Sequence, residues 1–182
     1  EDPVLFFEHK KMYRSVRGDI PEGDHVVPFG RAFVSHPGTQ VTVVAYGLMA
    51  HYALEAADRA AEDGISVEVV DLRSLRPLDR ETLIGSIRKT GKCLVVYEDN
   101  RFLGYGAEIA AIVADEAFDY LDGPIRRVTG PDVPGVPYNH VLEDWLWSTR
   151  RRSRTRSASW PRTRGAGEWH HPRPSSTRWT SG

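Results

Sequence analysis

Cysteine is almost missing from this chain: Cys93 is the single thiol in 182 residues. That excludes a disulfide-stapled secreted scaffold and a cysteine-rich zinc module, since each needs several. No apolar run reaches the roughly 18 residues that a membrane-spanning helix requires. The start, Glu1-Asp2-Pro3, carries neither the basic nor the apolar stretch of a secretory signal. It also lacks methionine, so the chain is expected to begin partway through a longer one. No GxxxxGK[ST] phosphate loop and no GxSxG nucleophile elbow is found. His9, His25, His36, His51 and His140 are scattered, with no pair at metal-ligand spacing. From these absences a soluble, intracellular chain of one ordinary domain is expected, without a metal site of its own.

What is present divides into two regimes. The net charge of −1 hides a segment, residues 149–182, with nine arginines and one acid, leaving residues 1–148 at −9. Residues 148–182 contain no Leu, Ile, Val, Phe or Met, so they cannot build a core and are expected to be disordered. Three readings fit such a tail: a passive terminus, an out-of-frame translation of a GC-rich gene, or an arginine-rich nucleic-acid arm with Trp160, Trp169 and Trp179 for stacking. The frameshift reading is preferred and the nucleic-acid arm is kept as the alternative.

Residues 4–8 (VLFFE) are aromatic and β-branched and read as a strand; residues 9–28 then mix charge, Gly and Pro without periodicity and read as a connection. Residues 1–28 are thus a linker and remnant of a preceding domain, and the main unit is placed at residues 29–147. Within it alternate a strand at 40–45, a helix at 48–63 with an alanine-rich apolar side, and a strand at 66–71. A helix at 80–89 follows, with Asp79 as N-cap and Gly91 as terminator, then a strand at 93–97. A helix at 107–121, a strand at 125–129 and a short helix near 140–147 complete the pattern. This order predicts an α/β fold of three layers, a mainly parallel sheet with helices on both faces. Functional loops then belong at the carboxyl ends of strands, at residues 46–47, 71–77, 98–106 and 130–137.

Self-contained chemistry is scarce. Gly104-Tyr105-Gly106 precedes a helix, but the third glycine of a dinucleotide loop is missing, and helix initiation is the better account. Cys93 lies inside the most apolar strand, where a thiol is ordinarily inert. Glu98 and Asp99 end that strand and could be catalytic carboxylates or merely its exit into solvent. No catalytic and no cofactor-binding residue is assigned.

Six segments in order carry a resemblance: PVLFFEHKKMYR (3–14), VTVVAYG (41–47), VEVVDLRSLRPLD (67–79), KTGKCLVVYE (89–98), GYGAEIAA (104–111) and YLDGPIRRVTGPDVP (120–134). Together they resemble the second half of the beta subunit of the thiamine-diphosphate-dependent 2-oxo acid dehydrogenases, a transketolase C-terminal-type domain. The resemblance implies a parent α2β2 assembly with an alpha subunit and a second beta subunit. It implies thiamine diphosphate and Mg²⁺ held by domains other than this one, and turnover of pyruvate or branched-chain 2-oxo acids with acyl transfer to lipoyl groups. It implies that this domain serves assembly and docks the basic subunit-binding domain of the lipoyl acyltransferase. Docking in the family uses an acidic residue in a Leu-acidic-small-Pro motif, here Leu121-Asp122-Gly123-Pro124, so Asp122 is the candidate contact. From the residues alone Asp122 is a turn residue between helix and strand.

The arginine-rich tail departs from the family, whose members continue into an apolar terminal helix; this puts docking and dimer stability in question. The chain by itself is expected to be inactive, and a bacterial cytoplasm is expected, with a mitochondrial matrix kept open. Another transketolase-like enzyme fragment and a stand-alone binding module are the alternatives.

Overall fold

The computed structural model describes residues 3, 5, 7–19, 21–133, 135 and 138–146, with backbone alone for 144–146. Five strands form one sheet: β1 (Phe33–His36), β2 (Val41–Ala45), β3 (Val67–Asp71), β4 (Cys93–Asn100) and β5 (Arg126–Gly130). Their spatial order is β1-β3-β2-β4-β5. The last four in sequence run parallel, and β1 joins β3 antiparallel at the edge. The helices are α1 (Met12–Ser15), α2 (Leu48–Glu62), α3 (Arg80–Thr90), α4 (Tyr105–Ala117) and α5 (His140–Leu146), with a 3₁₀ turn at Phe118–Tyr120.

The period of two along the strands sorts the core into two layers. Val41, Val43, Ala45, Val67, Val69, Leu94 and Val96 point to one face, against Met49, Ala53, Ala57 and Ala60 of α2. Val44, Val70, Val95 and Tyr97 point to the other, against Leu83 and Ile87 of α3 and Ile109 and Val113 of α4. All five residues of β2 are buried. Burial on both faces explains why the central strands are apolar at most positions rather than alternating, with Thr42 and Glu68 as buried polar exceptions. The alanines of α2 let its axis lie close to the sheet. The three-layer α/β architecture expected from the element order is the one observed.

Helix α3 starts where the sequence places its cap. The Asp79 carboxylate accepts from the Thr82 N–H at 3.0 Å and the Thr82 hydroxyl at 2.9 Å, and it also ties down the Ala32 N–H at 2.9 Å. Burial alone would raise its pKa, but these three bonds and the nearby charge of Arg31 outweigh it and hold the group below its ordinary value.

Three expectations change. The strand predicted over residues 4–8 is not formed at Leu5, Phe7 or Glu8, while residues 4 and 6 lie outside the described set. Residues without a paired neighbour cannot hold a ladder, whatever their propensity. Within the connection of residues 9–28, Met12–Ser15 makes one helical turn whose Met12 packs on the α2 side of the core. The strand β1 is additional. Its own sequence is half exposed and polar, and it is held by pairing with β3 and by the His36 ring donating to Val67 O at 2.7 Å.

Candidate docking site

Open parallel sheets bind ligands at the carboxyl ends of strands, where the chain reverses its direction of winding. Here that switch point lies between β2 and β4, and the chain fills it with its own side chains. Tyr46, just past β2, stacks on Tyr97 of β4 with centroids 6.5 Å apart, and Tyr105 meets Tyr46 edge-on at 6.3 Å. The Tyr105 hydroxyl donates to Leu75 O across the crevice. Burial, then the charges of Asp99 and its neighbours, push the Tyr46 phenol up to about 12.

The glycines read as a weak phosphate loop belong to this filling. A Cβ on Gly106 would stand 2.0 Å from Tyr97 Cε1, and one on Gly104 would stand 2.2 Å from Asn100 O. Both are glycine so that α4 can begin against a buried ring, which is the helix-initiation account. Cys93 is fully buried and burial lifts its thiol to about 12, so it sits as an apolar core group. Glu98 does not stand beside Asp99 as an acid–base pair. Its carboxylate reaches His9 Nε2 at 3.0 Å, whereas Asp99 accepts from the Asn100 N–H. Among the described residues no group of three His, Cys, Asp or Glu converges as a cation site.

The opposite end of the strands is open and ionic. After α4 tightens into its 3₁₀ turn, the chain extends at Leu121, and the Asp122 N–H donates to Gly91 O at 2.7 Å. Gly91 ends α3 in the left-handed region at φ 68°. A Cβ there would lie 2.4 Å from Asp122 Oδ2, so Gly91 is required both by its own backbone and by the carboxylate above it. The Asp122 side chain is 62% exposed and stands 3.7 Å from the Lys92 ammonium, which is only 11% exposed. At that distance the lysine biases the carboxylate without consuming its lone pairs.

The stretch that leads into Asp122 carries side chains that the sequence alone did not single out. Phe118 is 71% and Tyr120 49% exposed. The Arg88 guanidinium covers the Tyr120 ring at 4.8 Å and donates to Glu116 O at 3.3 Å, which fixes the ring from beneath. Glu116 also pairs with Arg80. No periodicity links α3 to the residues after α4, so only the packing of those helices could reveal this group. A held acid beside exposed aromatics is a surface suited to a basic partner.

Comparison with known proteins settles the family. Residues 30–152 match the family described as "Transketolase, C-terminal domain". The chain belongs to that family. A beta subunit of Bacillus subtilis 2-oxoisovalerate dehydrogenase is 48% identical over 146 residues, covering 80% of this chain and 45% of that protein. The beta subunit of the pyruvate dehydrogenase E1 component of the same organism is 43% identical over 145 residues, with 80% and 44% covered. From Cupriavidus necator, a beta subunit of acetoin:2,6-dichlorophenolindophenol oxidoreductase is 45% identical over 143 residues, with 79% and 42% covered. A solved structure titled "Split gene transketolase, inactive beta4 tetramer" superposes with a TM-score of 0.60 at 30% identity, over 76% of this chain and 46% of that one. The transketolase C-terminal domain seen here therefore spans less than half the length of the curated relatives it matches. Among the described residues no helix is long and apolar enough to cross a membrane. The arginine-rich residues 148–182 lie outside the described set.

Proposed function

We propose that this transketolase C-terminal domain is the assembly and docking part of the beta subunit of a 2-oxo acid dehydrogenase. The parent enzyme carries out thiamine-diphosphate-dependent oxidative decarboxylation of pyruvate or a branched-chain 2-oxo acid, passing the acyl group to a lipoyl carrier. The names of the relatives support this class. The observation that carries the local role is Asp122, an exposed carboxylate pinned through its backbone to Gly91 in the same short stretch as the exposed Tyr120 and Phe118.

Thiamine diphosphate and Mg²⁺ do not fit the residues described. The switch-point crevice is filled by Tyr46, Tyr97 and Tyr105, and no cluster of cation ligands converges among the described residues. The cofactor and the catalytic groups then come from other parts of the parent assembly, that is, from the alpha subunit and the remaining part of the beta subunits. This chain contributes subunit contacts and a seat for the basic subunit-binding domain of the acyltransferase core.

Titration calorimetry with an isolated acyltransferase subunit-binding domain tests the docking role. Asp122→Ala should weaken binding by roughly thirtyfold or more, as expected when one partner of a desolvated charge pair is removed. Unchanged affinity in a folded variant would end the assignment of Asp122.

A further inference from the structure

Between the loops that leave β4 and β5, next to the tyrosine-filled crevice and at the other end of the strands from Asp122, lies an open cavity of about 160 Å³. Arg101, Arg127, Thr129, Gly130, Pro131 and Asp132 line it. That volume has room for a polyatomic group rather than a single water.

Arg127 is held in place. Its Nη1 donates to the hydroxyl of Tyr97 at 3.2 Å and to Arg101 O at 3.0 Å. Tyr97 is itself fully buried, with its ring against Gly104 and Gly106, so the guanidinium is anchored to a part of the core that cannot yield. Its Nη2 and Nε, one whole edge of the fork, have no partner among the described residues, and neither Arg127 nor Arg101 is ion-paired with a carboxylate there. Asp132 lines the same cavity, but its Oδ1 accepts from the Phe102 N–H at 2.8 Å. The lining thus carries two guanidinium charges and one carboxylate, leaving one positive charge over.

A half-buried guanidinium without a counter-ion is costly, and its planar fork is matched by an oxyanion accepting two parallel bonds. One surplus charge is balanced by a monoanion, and a planar carboxylate fits the fork edge to edge. We propose that Arg101 and Arg127 form a recognition site for the carboxylate of a small organic acid at the carboxyl edge of β4 and β5. The site does not depend on the docking role of Asp122, which lies at the other end of the strands.

The test uses the full ¹⁵N-labelled chain titrated with sodium acetate, sodium phosphate and sodium chloride at matched ionic strength. Chemical shifts are followed at the amides of Arg101 and Gly130 and at the Arg127 Nε–H. Saturable shifts in acetate, absent in chloride, are expected. Arg101→Gln and Arg127→Lys should each weaken acetate binding by about tenfold, the second because it keeps the charge and loses the fork. Equal, non-saturating shifts in acetate and chloride would overturn the site. Saturation by phosphate but not acetate would overturn the carboxylate assignment, and full acetate affinity in both variants would overturn the role of the arginines. If Arg127→Lys fails to fold, Arg101→Gln decides, because the side chain of Arg101 makes no hydrogen bond or ion pair among the described residues.

Discussion

The two ends of the parallel strands are built in opposite ways. At the carboxyl end between β2 and β4, where such sheets ordinarily receive a ligand, three tyrosines close the crevice and two glycines admit a ring into the helix. At the amino end of β4 and β5 the surface is charged, and Asp122, Arg88 and Tyr120 stay accessible on a rigid base. The difference teaches that the fold's default ligand position can be closed by the chain's own side chains while the opposite end of the strands stays open.

The comparison breaks first, and most visibly, at Gly106. Alanine there would drive a methyl into the buried Tyr97 ring, and a loss of about 2–3 kcal/mol with a melting temperature lower by roughly 10 °C is expected. A neutral result in thermal denaturation would mean that the carboxyl end is looser than drawn.

A smaller loss, about 1–2 kcal/mol, is expected for Asp79→Ala, which removes the cap of α3. This one carries a sign in pH. The native pKa of Asp79 lies below its ordinary value of 3.8. The advantage of wild type over Asp79→Asn should therefore be complete above that value and shrink as pH falls further through the native pKa. Urea midpoints of the two proteins at neutral pH and near pH 3 measure it; a gap that widens in acid contradicts the bonding described.

At the amino end Gly91→Ala should cost about 1 kcal/mol, because the left-handed backbone disfavours a Cβ while the exposed Asp122 carboxyl can swing aside. Its larger effect should appear in partner affinity, since the carboxylate is displaced. Asp122→Ala closes the series, with a loss of about 0.5–1 kcal/mol, because the carboxylate is exposed but the Lys92 ammonium it faces is nearly buried. A Tm that falls as far as that of Gly106→Ala would show that Asp122 is a structural turn residue after all.

The legible parts of the molecule were those whose physics is local. The Asp79 cap, the left-handed Gly91, the alanine face of α2 and the charge-free start of β4 each follow from a few adjacent residues, and all four are seen. Residues 4–8 misled because aromatic and β-branched composition signals a strand only when a neighbour exists to pair with it. Strand β1 escaped for the converse reason, being made by β3 rather than by its own residues. At the candidate site Asp122 was singled out only through the family resemblance of a four-residue motif, and the residues alone marked it as a turn. Lys92, Arg88 and Tyr120 were not, because they come together only where α3 and the turn after α4 are packed side by side.

By itself, then, the sequence determined the parallel α/β order and the helix boundaries set by caps, since propensity, periodicity and capping act within a turn or two of the chain. The tertiary structure alone decided that the switch-point crevice is full, that β1 exists, and that Arg127 and Arg101 line one cavity. Those outcomes depend on contacts between residues far apart in sequence, and only the packed sheet brings them within range of one another.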